Sequence, residues 1–330
     1  MKIKMRTSLY AALTLALICY IGPSQPLAAQ DTGWPTRSVK LIIPLGPGSG
    51  TDTIARLFAD RLSTRWGKPV IIENRPGGDG IVAIQAFLSA DDNHVLLFTA
   101  TSVFTGHPYL HDKLPYDPRQ LIPAARVADT PVVVAVPQTL NVSSMKELVE
   151  MARAHPNGLN AASITGLQDL IFNGFLKAES LQIAKVPYRD TVQAANDLAE
   201  NRIQILMTSI TIVRAQVQAG KIRIIALTNA KPQPVAPGVP TVSEAGFPSL
   251  TTDGLVGFFA PKASGEQVRE RIAGDVKAIA DADPAIRDRL AAMGQVLNPG
   301  AAAEFTAAIE DQKRRAAEVA RLLGIKPAEM

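Results

Sequence analysis

Two glycine-rich turns, each following a run of β-branched residues, lie about thirty positions apart near the start of the chain. The first is Pro44-Leu45-Gly46-Pro47-Gly48-Ser49-Gly50-Thr51-Asp52, after Val39–Ile43; the second is Asn74-Arg75-Pro76-Gly77-Gly78-Asp79-Gly80, after Val70–Glu73. Each pattern predicts a strand leading into a helix. Such turns leave backbone N–H groups unpaired at the positive end of the helix dipole. Two of them at adjacent strand ends form a cradle for a small anion. Ser49 and Thr51 add hydroxyl donors, while Asp52 suits a helix cap better than an anion contact. The sequence places no nucleophile–base pair beside these turns. His94, His107, His111 and His155 show no metal-ligand spacing and read as solvated loop residues. The expected chemistry is therefore binding without transformation, with no catalytic residue, metal or cofactor.

The elements that must position the turns alternate between strand and helix, which predicts an α/β fold with a largely parallel sheet. Thr51 to Trp66 carries Ile54, Leu57, Phe58 and Leu62 on one helical face, capped by Thr51 or Asp52 and ended by Gly67. Further strands are expected at 95–98, 132–136, 160–163, 184–187, 203–207, 222–227 and 255–260. Further helices are expected at 80–88, 145–154, 166–178, 191–200 and 210–219, with three more at 266–282, 284–293 and 301–323. Residues 108–123 and 232–240 read as proline-rich loops. One arrangement explains this order. Residues 30–131 and 252–330 form a discontinuous first lobe that carries both glycine turns, and 132–251 form the second. The strands 132–136 and 255–260 would cross between them as a hinge.

Residues 1–29 read as a secretory signal peptide, with Lys2, Lys4 and Arg6 before an apolar stretch from Leu9 to Ile21 and cleavage near Ala29. Ile18 before Cys19 excludes a lipoprotein signal. Cys19 is the one cysteine and leaves with that segment, so the mature chain has no thiol chemistry. Without the three basic residues of the leader, 31 basic groups face 30 acidic ones, a net +1. Aromatics make up 5% of the chain, too few for a nucleic-acid stacking platform, and no basic run interleaves with them. Nothing after the leader is long and apolar enough to span a membrane.

Five stretches in register resemble the tripartite tricarboxylate transporter receptors, the Bug family of periplasmic solute-binding proteins. They are PLGPGSGTDTIAR at 44–56, NRPGGDG at 74–80, VPYR at 186–189 followed by Asp197-Leu198, GKIR at 220–223 and VPTVSEAG at 239–246. The resemblance implies a type II periplasmic-binding-protein fold: two α/β lobes joined by two crossing segments, with a ligand cleft between them. It implies capture of a small carboxylate by hinge closure, with delivery to a membrane transporter or a sensory role, in a monomer that binds no nucleic acid. Contacts would come from Leu45, Gly46, Pro47, Gly48, Ser49, Gly50, Thr51 and Asp52, and from Gly77, Gly78, Asp79 and Gly80. From the second lobe come Ser163, Thr165 and Gly166 at a helix start, with Tyr188 and Asp190. Four departures stand out. Asp190 replaces the glycine usual after VPY, Asp169 the usual histidine at the second-lobe helix, Asp92-Asn93-His94 an Asp-Gly-Tyr, and Ser163-Ile164-Thr165 a glycine- and serine-rich stretch. An acid at 190 facing the cleft would repel the far end of a dicarboxylate and favour a neutral or cationic one.

Two other functions fit parts of the pattern. Gly46-x-Gly48-x-Gly50 with Glu73 imitates a dinucleotide fingerprint, but Thr51 occupies the third glycine position. Gly48-Ser49-Gly50 would suggest a hydrolase, but it lacks the spacers of a nucleophile elbow.

Overall fold

The first strand, β1 (Val39–Ile43), is buried at four of its five positions. That burial requires neighbours on both edges: β2 (Val70–Asn74) and β3 (Val95–Ala100) pair with it in parallel. The structure is a computed structural model that describes residues 33–164 and 166–329. The leader and its cleavage site near Ala29, and Thr165, lie outside the described residues. From Pro35 onward the chain forms one compact unit.

The parallel trio is one edge of a six-stranded sheet in the order β11-β4-β10-β3-β1-β2. Here β4 is Ile122–Thr130, β10 is Gly254–Ala260 and β11 is Val296–Gly300. Both neighbours of β10 run antiparallel to it. The expected largely parallel sheet is thus mixed, because the chain returns through β10 after the second lobe. Helices α1 (Gly50–Trp66) and α2 (Ile81–Ala90) follow β1 and β2, and α3 (Ser102–Gly106) follows β3. Pro123 hides the strand β4, and α3, at five residues, is too short for a helical period to show.

At the centre, Phe98 and Phe258 pack edge to face at 4.8 Å, and Phe259 meets Phe305 at 5.3 Å. Gly257 lets the strands close up: a Cβ there would lie 2.3 Å from the Ala125 carbonyl and 2.7 Å from the Phe305 ring.

The second sheet is β8-β5-β9, with β5 (Val132–Pro137) at its centre, β8 at Leu206–Ser209 and β9 at Ile222–Leu227. The parallel pair β6 (Asn160–Ser163) and β7 (Ala184–Pro187) joins it through a bridge between Ala161 and Ile205. Around these strands lie α4 (Met145–Ala154), α5 (Leu167–Ala178), α6 (Thr191–Ala199) and α7 (Ile210–Gln218). Of the two strands expected to cross, β5 is central to the second sheet and β10 interior to the first. The chain passes between the two sheets at Pro131 and over residues 228–253. These two passages run side by side, since Asn229 Oδ1 accepts from Val132 N–H at 3.1 Å and Asn229 Nδ2 donates to Asp253 at 3.1 Å.

Helices α8 (Gly265–Ala282), α9 (Pro284–Ala292) and α10 (Ala302–Leu323) close the chain. The last is a third link. Phe305 and Ile309 sit in the core of the first sheet, whereas Ala316 belongs to that of the second. Gly174 of α5 lies against Val319, where a Cβ would meet its methyl at 2.5 Å. Between them, buried Gln312 accepts from Thr101 (2.7 Å) and Thr105 (3.0 Å) and donates to the Asp253 carbonyl (2.7 Å).

His94 is buried rather than solvated, and it fastens the chain before β1 to the start of β3. Its Nε2 accepts from Thr36 N–H at 3.1 Å and its Nδ1 faces Asn93 Oδ1 at 2.6 Å. Burial first, and Arg37 nearby, push its pKa below the ordinary 6.5. The unfolded chain therefore binds the extra proton, and stability falls as pH drops through about 6.5. Denaturant titrations between pH 7.5 and 5 (a range bracketing the ordinary histidine pKa of about 6.5) are expected to show this decline, and His94→Asn to flatten it. An unchanged slope in the variant would refute the assignment.

Candidate functional site

The first glycine turn is built around one buried carboxylate. Ser49, not Thr51 or Asp52, caps α1, its hydroxyl accepting from Asp52 N–H at 3.2 Å. The Asp52 side chain turns back under the loop. It accepts from Gly48 N–H (2.9 Å), from Arg56 Nε (2.9 Å) and Nη2 (3.0 Å), and from Asn74 Nδ2 (2.8 Å). Burial would raise its pKa, yet the bonds from Arg56, Asn74 and Gly48 outweigh it and hold the carboxyl below its usual 3.8. Asp52 thus supports the loop, and its charge is offset by Arg56. Leu45, Pro47, Gly48 and Gly50 are exposed, with Gly46, Ser49 and Thr51 half-buried. Among the described residues the amides of Gly50 and Thr51 meet no protein acceptor. They are the first two N–H groups of α1, aligned with its dipole.

The second turn is tied to the first. Asn74 Nδ2 also donates to the Leu45 carbonyl at 2.8 Å, and Arg75 N–H to that of Ile43 at 2.8 Å. Gly77 and Gly78 are exposed, and both have positive φ. Gly80, at φ +86°, tolerates no side chain: a Cβ would come within 2.7 Å of Val103 in α3. The Arg75 guanidinium pairs with Glu73. Asp79 directs its carboxylate to His107 and His111, at 3.4 and 3.7 Å. These two histidines are not solvated loop residues: His107 is fully buried and His111 half-buried, while His155 is exposed.

In the second lobe α5 starts at Leu167 behind Gly166, which brings no capping side chain. Ser163 ends β6 and donates to Asp169 at 3.1 Å; Lys185 pairs with Asp169 at 2.5 Å. Tyr188 donates to Asp197 at 2.8 Å, and its pKa is pushed up to about 12 by burial and by that acid. Asp190 is exposed and caps α6, accepting from Val192 N–H at 2.8 Å. The two residues singled out after β7 thus already hold partners inside their own lobe.

A cavity of about 230 Å³ opens among the starts of α5, α6 and α7. Its polar lining is Gln168, Asp169, Thr191, Thr208 and Ser209, over a floor of Phe172 and Met207. Sequence reasoning missed Gln168, Thr191, Thr208 and Ser209. The signal for Ser209 was available: it precedes an apolar helical run and caps α7, accepting from Thr211 N–H. The first-lobe turns do not line this cavity, but α3 bridges the two. Its Val103 packs on Gly80, and a Cβ on Gly106 would sit 3.4 Å from Leu167 N and Cβ. Helix starts from both lobes therefore gather around α3, an arrangement suited to an anion with a short polar or apolar tail.

That architecture is the periplasmic-binding-protein fold, and comparison with known proteins agrees. A family model for the tripartite tricarboxylate transporter family receptor matches residues 54–325. A UPF0065 protein of Bordetella bronchiseptica is 30% identical over 324 residues, 98% of this chain and 94% of its own. Protein BugT of Bordetella pertussis is 28% identical over 256 residues, 76% and 78% of the two chains. Among solved structures, a periplasmic transporter shares 28% identity at a TM-score of 0.73, covering 89% of this chain and 99% of its own. An R. palustris protein solved with adipate shares 27% at 0.74, with the same coverage. The chain belongs to the tripartite tricarboxylate transporter receptors, which are periplasmic binding proteins and not enzymes.

Asn74 joins the two turns through one amide. Asn74→Ala is expected to lower unfolding free energy by about 1–3 kcal/mol, the cost of leaving Asp52 and a carbonyl short of a donor. Because the Asp52 pKa is depressed, its contribution is present above pH 3.8 and is lost as acid titrates the native carboxyl. Equal stability of the variant and the parent in urea at neutral pH would contradict the tie.

Proposed function

We propose that this receptor captures a small organic carboxylate between a first lobe (30–131 with 252–330) and a second lobe (132–251), and closes about the paired crossings at Pro131 and 228–253. The observation that carries this reading is that α3 contacts both Gly80 of the second glycine turn and Leu167 at the start of α5, while Asn74 ties that turn to the first, whose Gly50 and Thr51 amides meet no protein acceptor among the described residues. Leu45 to Thr51, Gly77, Gly78 and Gly80 hold one carboxylate by backbone donors, with Ser163 and Gly166 approaching from across the cleft. Asp52 braces the first turn, and Asp79 braces the second from below. Tyr188 and Asp190 shape the second-lobe rim. A ligand bridging the lobes favours the closed state by its differential affinity for it. The partner is a membrane transporter of the tripartite type or a sensory component, and the receptor acts as a monomer after export with cleavage near Ala29.

The far end of the solute enters the second-lobe cavity. At about 230 Å³ it is below the roughly 300–1,000 Å³ of drug-sized sites and suits a short chain. Its neutral donors, together with Asp169 already matched by Lys185, favour a hydroxyl or amide over a second carboxylate. The adipate-bound relative supports the carboxylate class; the distal preference is this chain's own.

A thermal-shift screen of mono- and dicarboxylates, with and without amide or hydroxyl tails, tests both parts. A ligand at a hundred times its Kd adds about 2.7 kcal/mol of stability. Gln168→Ala is expected to weaken it about tenfold, or about 1.4 kcal/mol. If no small carboxylate stabilises the protein, capture is refuted. If plain dicarboxylates bind most tightly, the distal preference is.

A further inference from the structure

The most conspicuous cluster that solute capture leaves unexplained is under the second glycine turn. Asp79 Oδ2 lies 3.4 Å from His107 Nε2 and 3.7 Å from His111 Nε2, and the three ligand atoms fall within 4.8 Å of one another. We propose that Asp79, His107 and His111 form a binding site for a divalent first-row transition ion, Zn²⁺ being the ion best suited to it. Two imidazoles and a carboxylate are the donor set such ions take. With bond lengths of about 2.0–2.1 Å, a tetrahedral centre sets its ligand atoms about 3.4 Å apart. The two distances to the carboxylate match that spacing within a few tenths of an ångström.

Three further observations belong to the same site. His111 Nε2 is buried and has no hydrogen-bond partner, an uncommon state for a ring nitrogen and the one a metal relieves. The rings of His107 and His111 stand nearly perpendicular, at 88° with centroids 5.0 Å apart, so both nitrogens converge without the rings stacking. The second nitrogen of His107 meets the Tyr116 hydroxyl at 2.6 Å. In the metal-free protein His107 Nε2–H donates to the Asp79 carbonyl at 3.0 Å, and Nδ1 accepts from Tyr116. On binding, the proton moves to Nδ1 and is donated to the Tyr116 oxygen, which leaves Nε2 free for the ion. Tyr116 is thus the partner that orients the ligating ring.

The scaffold is rigid where it must be. The segment carrying both histidines is pinned by the end of the chain, with Ala328 N–H bonded to the Pro108 carbonyl and Glu329 N–H to that of Asp112. The Asp79 side chain is half-exposed, which leaves an open face for the ion to enter. An ion there would clamp the second turn to the segment after α3.

The test is titration of the untagged, chelator-treated receptor with ZnCl₂ by calorimetry, and with Co²⁺ by visible absorption. One Zn²⁺ per chain and a Co²⁺ band of a low-coordinate N/O site are expected. His111→Gln should abolish the band and weaken Zn²⁺ by more than about 100-fold; Tyr116→Phe, which retains all three ligands, should weaken it about 10–100-fold. Circular dichroism and solute binding of both variants report an intact fold. Absence of Zn²⁺ binding in the parent, or equal affinity in His111→Gln, would overturn the site. Solute capture is read out separately, because neither His111 nor Tyr116 is among the residues proposed to hold the carboxylate.

Discussion

The hydrogen-bonded carboxylate of Asp52 is the constraint on which the binding face depends. One buried acid gathers donors from its own turn, from the next turn of α1 and from the strand end that opens the second turn. Because Asn74 reaches both Asp52 and the Leu45 carbonyl, the two glycine segments form a single surface. The acid also explains how a helix start can hold an anion while carrying a negative charge. Its oxygens are saturated and its charge is matched by Arg56. What remains outward-facing is backbone N–H, whose donors stay fixed in direction and need no reorganisation when an anion arrives.

The second constraint is mechanical. The last helix sets one end in each sheet's core, and Gln312 near its middle fixes it to α3 and to the segment that leads into β10. Any proposed movement of one sheet against the other would have to accommodate that helix.

Much of this was legible in the sequence, for identifiable reasons. The glycine turns stood out because strand, turn and helix signals coincided over a few residues. The end of α1 followed Gly67, whose left-handed conformation is local chemistry. The family resemblance rested on loops for the same reason. What was not legible depended on distant partners. β4 contains a proline and forms because β10 returns beside it, and β11 completes the edge of that sheet. That return also makes the sheet mixed, which no local pattern encodes. Asp52 could be read as a cap but not as a tie to Asn74, since 22 residues separate them. His107 and His111 looked like loop residues because burial arises from Tyr116 and the chain terminus, not from their neighbours in sequence.

The most direct test of the central claim is a crystal structure of the receptor with the carboxylate that stabilises it most. The account predicts a carboxylate within hydrogen-bonding distance of the Gly50 and Thr51 amides and of the α5 start, with its tail toward Gln168 and Ser209. A solute held wholly inside the second lobe, with the glycine turns unchanged and unengaged, would contradict it.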